Sequence, residues 1–360
     1  MDITKLDKNM LGDGFSAEGL KFFSPETKPV KVYGVMYDAE MNAYLRLPMD
    51  IAKTINGGVS AMNNHPSGGR FVFKTNANKI AVKFRIQWEG VTVFNQANAG
   101  FDLYERENGK QTLIHTYRPG EIGENRTFSI SREIKDAKER EYILYTPYMA
   151  GLENIYIGIN EDAYLKEADE YTYSQPIVFY GSSIVHGAHG ARAGMPYPAI
   201  ISRMYDIDFV NLGFSGNAKG EKEFAEYIKN LDMCAFVMDY DHNAPTPDHL
   251  RATHENFYKI VREANKDLPI IMITRPHFHE IPYEEAMERK EIILNTYNNA
   301  KSRGENVYFI DGGHFYDDFG YDDCVADDSH PNTLGLFAMA TKIASVLEEA
   351  LDIKVTSKNS

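Results

Sequence analysis

The sequence predicts two domains of different class. An antiparallel β-sandwich of jelly-roll-like type spans residues 1–172, and a three-layer α/β domain with a five-stranded parallel sheet spans residues 173–360. Three observations predict this. Short runs alternating apolar with polar residues, broken by closely set turn formers, fill the first half. Continuous apolar runs separated by helical stretches fill the second. Polar clusters follow four of those five apolar runs, where the ligand sites of open α/β sheets form.

In the first half the strand-like runs are residues 30–35, 43–47, 70–74, 79–86, 91–94, 101–106, 112–116, 127–130, 142–145 and 155–159. Residues 79–86 show the alternation well: Ile80, Ala81, Val82, Phe84 and Ile86 among Lys79, Lys83 and Arg85. Asn56-Gly57, Ser67-Gly68-Gly69, Asn108-Gly109 and Pro119-Gly120 supply turns. The pattern changes near Tyr173. The apolar runs 177–180, 209–212, 234–238, 270–273 and 307–310 are continuous, as buried parallel strands require. Between and after them lie helical stretches at 196–204, 221–230, 247–265, 283–303 and 332–351.

A formal net charge of −14 argues against nucleic acid or an anionic membrane as partner, since either would be repelled. Two cysteines, Cys234 and Cys324, make no disulfide framework, and Cys234 in its apolar run reads as a buried core thiol. The first residues lack the apolar segment of a signal peptide, and no run approaches the roughly 18 apolar residues of a membrane span. A cytoplasmic location is the expectation. The sequence gives no expectation for the oligomeric state.

The four polar clusters are Gly181-Ser182-Ser183, Gly213-Phe214-Ser215-Gly216-Asn217, Asp239-Tyr240-Asp241-His242-Asn243 and the segment from Asp327 to His330. A serine on the turn after a strand, with an Asp-x-x-His pair far downstream, supplies the parts of a nucleophile, a base and an orienter for acyl transfer.

These clusters resemble the sequence blocks of the SGNH hydrolases, the GDSL-type esterase and acylhydrolase superfamily. Gly181-Ser182-Ser183 stands where that family has Gly-Asp-Ser, and Asn211 to Asn217 holds its glycine block. Asp241-His242-Asn243-Ala244 stands for Gly-x-Asn-Asp, and Asp327 to Pro331 is an intact Asp-x-x-His-Pro. The first half is similar to the β-rich domain that precedes one branch of these esterases. Its Gly-x-Asp-Leu-Tyr signature appears as Gly100-Phe101-Asp102-Leu103-Tyr104, with Arg46-Leu47-Pro48 and Gly69-Arg70-Phe71-Val72-Phe73 in agreement. The resemblance implies an SGNH-type α/β domain with Ser183 as nucleophile, His330 as general base and Asp327 holding His330. It also implies an oxyanion hole from the N–H of Ser183, the N–H of Gly216 and the side-chain amide of Asn243. The departures are Ser182 for the usual aspartate, and Asp241 and Ala244 for the usual glycine and aspartate. None of these positions donates a catalytic atom in the family, and the block's register selects Ser183 over Ser182.

Other polar groups carry weaker signals. His186, His189 and Arg192, just after the serine, are candidates for a substrate pocket, with an ion pair the alternative for Arg192. Neither a metal nor a cofactor is expected, because no carboxylate cluster accompanies the two histidines and no Walker or dinucleotide motif occurs. His277 and His279 read as loop packing or pocket lining, the acidic residues Asp317 to Asp323 as a solvated loop, and Trp88 as core packing.

The expected function is a serine esterase acting on short acyl esters, acetyl first, of sugars or oligosaccharides. The substrate rests on the family analogy. A lysophospholipase-like or other lipase-like acylhydrolase, and a non-catalytic carbohydrate-binding protein on the same scaffold, are the alternatives.

Overall fold

A computed structural model describes residues 17–87, 98–120, 126–276 and 281–356. The expected strand at 91–94, Trp88, His277 and His279 lie outside the described residues. The chain divides into two compact units, one of residues 1–46, 64–171 and 192–194, the other of residues 47–63, 172–191 and 195–360.

The first unit is a pair of antiparallel sheets. Its strands are β1 (Leu20–Phe23), β2 (Lys31–Tyr33), β3 (Met36–Asp38), β4 (Ala43–Leu45), β5 (Arg70–Thr75), β6 (Lys79–Gln87), β7 (Phe101–Glu107), β8 (Lys110–Tyr117), β9 (Thr127–Glu133), β10 (Arg140–Tyr145), β11 (Gly151–Asn160) and β12 (Leu165–Lys166). One sheet runs β3-β4-β11-β6-β9 with β1 beside β11, and the other runs β12-β5-β10-β7-β8 with β2 beside β5. The alternation read from sequence becomes the inner face. Ile80, Val82, Phe84 and Ile86 of one sheet share a buried cluster with Phe71, Phe73, Phe101, Leu103, Tyr142 and Leu144 of the other. Phe84 meets Phe101 edge to face at 4.7 Å. Burying each such side chain contributes about 1.5–3 kcal/mol. Because strand side chains alternate, Phe101 and Leu103 face this core while Asp102 and Tyr104 project from the opposite face of β7.

The second unit holds the parallel sheet. Its strands are β13 (Tyr173–Gly181), β14 (Ile207–Gly213), β15 (Ala235–Asp239), β16 (Ile270–Ile273) and β17 (Val307–Ile310), in the order β14-β13-β15-β16-β17. Its helices are α1 (Met49–Ile55), α2 (Gly57–Met62), α3 (Ser183–His186), α4 (Tyr197–Tyr205), α5 (Lys222–Ile228), α6 (Pro247–Ala264), α7 (Tyr283–Ser302), α8 (Tyr321–Cys324) and α9 (Thr333–Leu351). All five expected strands and the five long helical stretches are present. The sheet order is doubly wound, and β13 lies where the winding reverses between β14 and β15. The second residue of α6 lies behind a capping Thr246, whose side chain accepts from the His249 N–H, and Pro247 takes the first helical position.

Three readings need correction. Residues 47–63, assigned by sequence to the first domain, form α1 and α2 and pack in the second unit. Leu47, Ala52 and Val59 share a buried cluster with Tyr180, Phe214 and Phe224. Asn56-Gly57, read as a turn, is a helix start. The Asn56 side chain accepts from the Val59 N–H at 2.8 Å and donates to Asn217 O and Glu221 Oε1, each at 2.9 Å. Cys234 is not a core thiol but a half-buried one at the entry to β15, donating to Gln175 O at 3.2 Å. Burial pushes its thiol up to about 12, so it stays protonated and unreactive.

Candidate active site

Strand β13 ends where only glycine fits: a Cβ on Gly181 would lie 1.9 Å from Asp239 O of β15. The chain then turns into α3. Ser182 caps it, its Oγ accepting from the Ile184 N–H at 3.2 Å, and Gly187 ends it at φ +109. Ser183 is therefore the first helical residue, and its N–H has no intrahelical acceptor. Asn211 of β14 fixes this turn from the side, donating to Val185 O at 2.7 Å and accepting from the Gly213 N–H at 2.9 Å.

The loop bearing Asp327 to His330 is closed by a Val325–Pro331 bridge and by Ala326 N–H donating to His330 O at 2.8 Å. Asn332 begins α9, accepting from Leu334 and Gly335 N–H while its amide donates to Asp323 O and Val325 O. This pinned loop brings His330 Nε2 to 2.9 Å from Ser183 Oγ. On the other side, His330 Nδ1 lies 3.0 and 3.1 Å from the Asp327 carboxylate oxygens. The N–H groups of Ser329 and His330 both donate to Asp327 Oδ1 at 2.8 Å. Burial opposes the charge on Asp327, but these donors and the His330 imidazole outweigh it and hold the carboxyl below its usual range. With Asp327 ionised, the His330 proton is favoured on Nδ1, leaving Nε2 a lone pair for the serine. The arrangement can take a proton from Ser183 Oγ.

Two of the expected oxyanion donors are tied to one another by a hydrogen bond. Gly216 N–H donates to Asn243 Oδ1 at 3.1 Å, and Asn243 Nδ2 donates to Phe214 O at 2.9 Å and Ala218 O at 3.0 Å. Gly216 N–H is thus engaged with Asn243, and the Asn243 amide with the 214–218 loop. Glycine at 216 is required by its backbone, at φ +66, and not by neighbouring atoms: a Cβ there would meet nothing within 4 Å.

The three pocket candidates go to three different places. His186 is buried, with Nδ1 3.0 Å from Ser215 Oγ. His189, at φ +60, places Nε2 3.1 Å from Asp327 Oδ2. Burial lowers its basicity, partly offset by Asp327. Arg192 follows the ion-pair alternative within the first unit. Its guanidinium donates to Asp102 Oδ2 at 2.6 Å and to the Tyr104 hydroxyl, and Asp102 also accepts from Gly194 N–H and Thr116 Oγ1. This network accounts for the aspartate and tyrosine of the Gly-x-Asp-Leu-Tyr signature. The metal pair weighed from sequence, His186 with His189, is not brought together with a carboxylate; Asp327 instead meets His189 and His330. Ligand atoms of His189, Asp327 and His330 all lie within 4.8 Å of one another.

Sequence reasoning placed Asp239 and Asp241 in the third polar cluster but missed their burial and their partners. Asp241 is fully buried, accepting from Arg275 N–H at 2.9 Å and pairing with Arg289 of α7 at 3.3 Å. Burial pushes its carboxyl up, with Arg275 and Arg289 acting against that. Arg289 Nη1 also donates to Ala244 O at 3.1 Å, so α7 anchors the turn that carries Asn243. Asp239, at the end of β15, accepts from the Tyr197 hydroxyl at 2.9 Å, and burial pushes it up to about 8. Its companion His242, 6.2 Å from His330, is held well below its usual basicity by burial. Nothing near Arg289 in the sequence marks its partner.

Comparison with known proteins finds a family match on each half of the chain. Residues 174–348 match a family model described as the GDSL-like Lipase/Acylhydrolase family, and residues 20–165 match one described as the N-terminus of Esterase_SGNH_hydro-type, known as GxDLY. A comparison with curated protein sequences gives no match. Among solved structures, a GDSL-like lipase assignment from Bacteroides ovatus ATCC 8483 is similar at 27% identity and a TM-score of 0.82, covering 94% of this chain and 100% of that one. The salicylyl-acyltransferase SsfX3 from a tetracycline biosynthetic pathway shares the fold at 18% identity and a TM-score of 0.76, over 94% of this chain and 100% of that one. A family two carbohydrate esterase from Clostridium thermocellum, in complex with cellohexaose, shares it at 14% identity and a TM-score of 0.57, over 79% of this chain and 93% of that one. No helix among the described residues is long and apolar enough to cross a membrane. With one family model on each half, the chain belongs to the GDSL-like lipase and acylhydrolase family, in the branch that carries a GxDLY domain ahead of its SGNH-type domain.

Proposed function

We propose that the protein is a serine ester hydrolase that removes short acyl groups, acetyl first, from sugars or oligosaccharides. The observation that carries the catalytic part is the continuous chain from Ser183 Oγ through His330 to Asp327, at 2.9 and 3.0 Å. Ser183 Oγ attacks the ester carbonyl as His330 Nε2 takes its proton. Ser183 N–H stabilises the tetrahedral oxyanion. Gly216 N–H joins it once substrate draws that group off Asn243 Oδ1, and each donor of this kind is worth about 2.7–4 kcal/mol. His330 then protonates the leaving alcohol, and water repeats the cycle on the acyl-enzyme. A small or oligomeric ester substrate in the cytoplasm, with no nucleic-acid or membrane partner, accords with the net charge of −14.

The acyl and sugar parts rest on kinship of fold with carbohydrate esterases such as the one crystallised with cellohexaose. A binding protein without turnover has no use for a base and its orienter, so the lipase-like alternative is the nearer one. Hydrolysis of p-nitrophenyl acetate, butyrate and octanoate by the unaltered protein, Ser183→Ala and Ser182→Ala decides among these readings. Acetate cleavage lost only in Ser183→Ala supports the proposal and leads to acetylated sugars. Preference for octanoate favours the lipase-like reading, and no turnover on any ester by the unaltered protein overturns the enzymatic one.

A further inference from the structure

The Asp327 carboxylate serves two imidazoles. His330 Nδ1 lies 3.0 Å from Oδ1, and His189 Nε2 lies 3.1 Å from Oδ2. We propose that His189, Asp327 and His330 form a binding site for a divalent cation of the zinc class, and that its occupation switches the serine off. Two imidazoles and a carboxylate are a donor set that zinc accepts with water in the fourth position. Bonds of about 2.0–2.1 Å in tetrahedral geometry place ligand atoms about 3.3 Å apart. The two distances to Asp327 are already close to that. The remaining pair, the two imidazoles, lies within 4.8 Å and has to draw closer on binding.

The surroundings favour an ion. The three side chains are 21%, 44% and 24% exposed, so water can reach the site and complete the coordination. The carboxylate is oriented from behind by the N–H groups of Ser329 and His330. His189 is presented by a left-handed backbone in a tight turn, where Ala188 N–H donates to Ser183 O at 2.9 Å and Gly190 N–H to Gly187 O at 3.0 Å. A non-glycine residue in that conformation is uncommon and tends to mark a function.

Inhibition follows from proton placement. A cation on His330 Nδ1 takes that lone pair, so the neutral ring carries its single proton on Nε2. That atom faces Ser183 Oγ at 2.9 Å and can then only donate to it, never accept. Binding depends on the geometry alone, and only the loss of turnover rests on the proposed function.

The test is calorimetric titration of the metal-stripped full chain with zinc, with magnesium as the hard-cation control, alongside Ser183→Ala and His189→Asn. Asparagine tolerates the left-handed backbone but is too short to reach Asp327. The proposal expects one equivalent of zinc and no magnesium binding. Affinity should hold in Ser183→Ala and weaken at least about tenfold in His189→Asn. Zinc affinity unchanged in His189→Asn, or no zinc binding by the unaltered protein, overturns it. Should His189→Asn fail to fold, X-ray absorption of the zinc-loaded unaltered protein reads the ligands directly, and a shell without two imidazoles overturns it equally. If esters are hydrolysed, zinc should inhibit them and a chelator should restore the rate. If none are, calorimetry still reports on the site.

Discussion

Replacing Asp327 by asparagine changes one atom and should remove nearly all turnover while leaving the fold in place. The side-chain oxygen at the Oδ1 position can keep both backbone donors, Ser329 and His330 N–H at 2.8 Å, so the loop keeps its closure. The new amide nitrogen then occupies Oδ2, 3.1 Å from both His330 Nδ1 and His189 Nε2. Facing an N–H donor, His330 Nδ1 becomes an acceptor, its proton moves to Nε2, and the atom 2.9 Å from Ser183 Oγ can no longer take a proton. The wrong tautomer costs about 10⁴ in kcat in the best-studied serine hydrolase triad, or about 5.5 kcal/mol at 1.36 kcal/mol per decade. The present site, half open to solvent, should lose about 10³–10⁴, with KM nearly unchanged because no substrate contact is removed. The assay is p-nitrophenyl acetate hydrolysis at saturating substrate, with urea unfolding to verify stability. A variant that keeps a tenth of the parent kcat would refute the assignment of Asp327 as the group that sets the His330 tautomer.

Three further outcomes are expected. Ser182→Ala removes the α3 cap and should cost about 1 kcal/mol of stability, read from the urea midpoint, while leaving esterase activity; a folded but inactive variant would move the nucleophile to Ser182. Arg289→Met removes the ion-pair partner of buried Asp241, leaving Arg275, and should cost about 3 kcal/mol, with part recovered in the double variant with Asp241→Asn; additive losses in the pair would dissolve the coupling. Asp239 binds its proton more tightly in the folded chain, so the stability it contributes is complete below the unfolded value and is lost as pH rises through about 8. Asp239→Asn keeps an acceptor for Tyr197 and should flatten the fall in urea midpoint between about pH 5 and pH 8; an unchanged slope would exclude Asp239 as its source.

The second unit's sheet was legible because buried parallel strands are continuous in sequence, and 270–273 and 307–310 appear with the same bounds in the structure. The inner face of the first unit was legible because period-2 alternation is local, as at Ile80, Val82, Phe84 and Ile86. The short helices α1 and α2 were not seen. Their apolar positions Ile51, Ile55, Val59 and Met62 do recur at helical spacing, but Asn56-Gly57 between them has the look of a turn until its cap is known. At the site, the serine and the Asp-x-x-His pair announce themselves through spacing. The contacts of His189 with Asp327 and of Asp241 with Arg289 join residues 138 and 48 positions apart, and a single sequence holds no local trace of such pairings.

The early position of α1 and α2 bears on how the chain emerges during synthesis. Their apolar side chains leave the ribosome long before Phe224 and the rest of α5, roughly 160 residues later, exist to receive them. At about 5–20 residues per second that interval lasts on the order of 10–30 s, during which Ile51, Ile55 and Met62 lack the α5 part of their native surroundings. The nascent chain therefore carries an exposed apolar stretch through much of its translation, and that segment is where a holding chaperone would be expected to bind first.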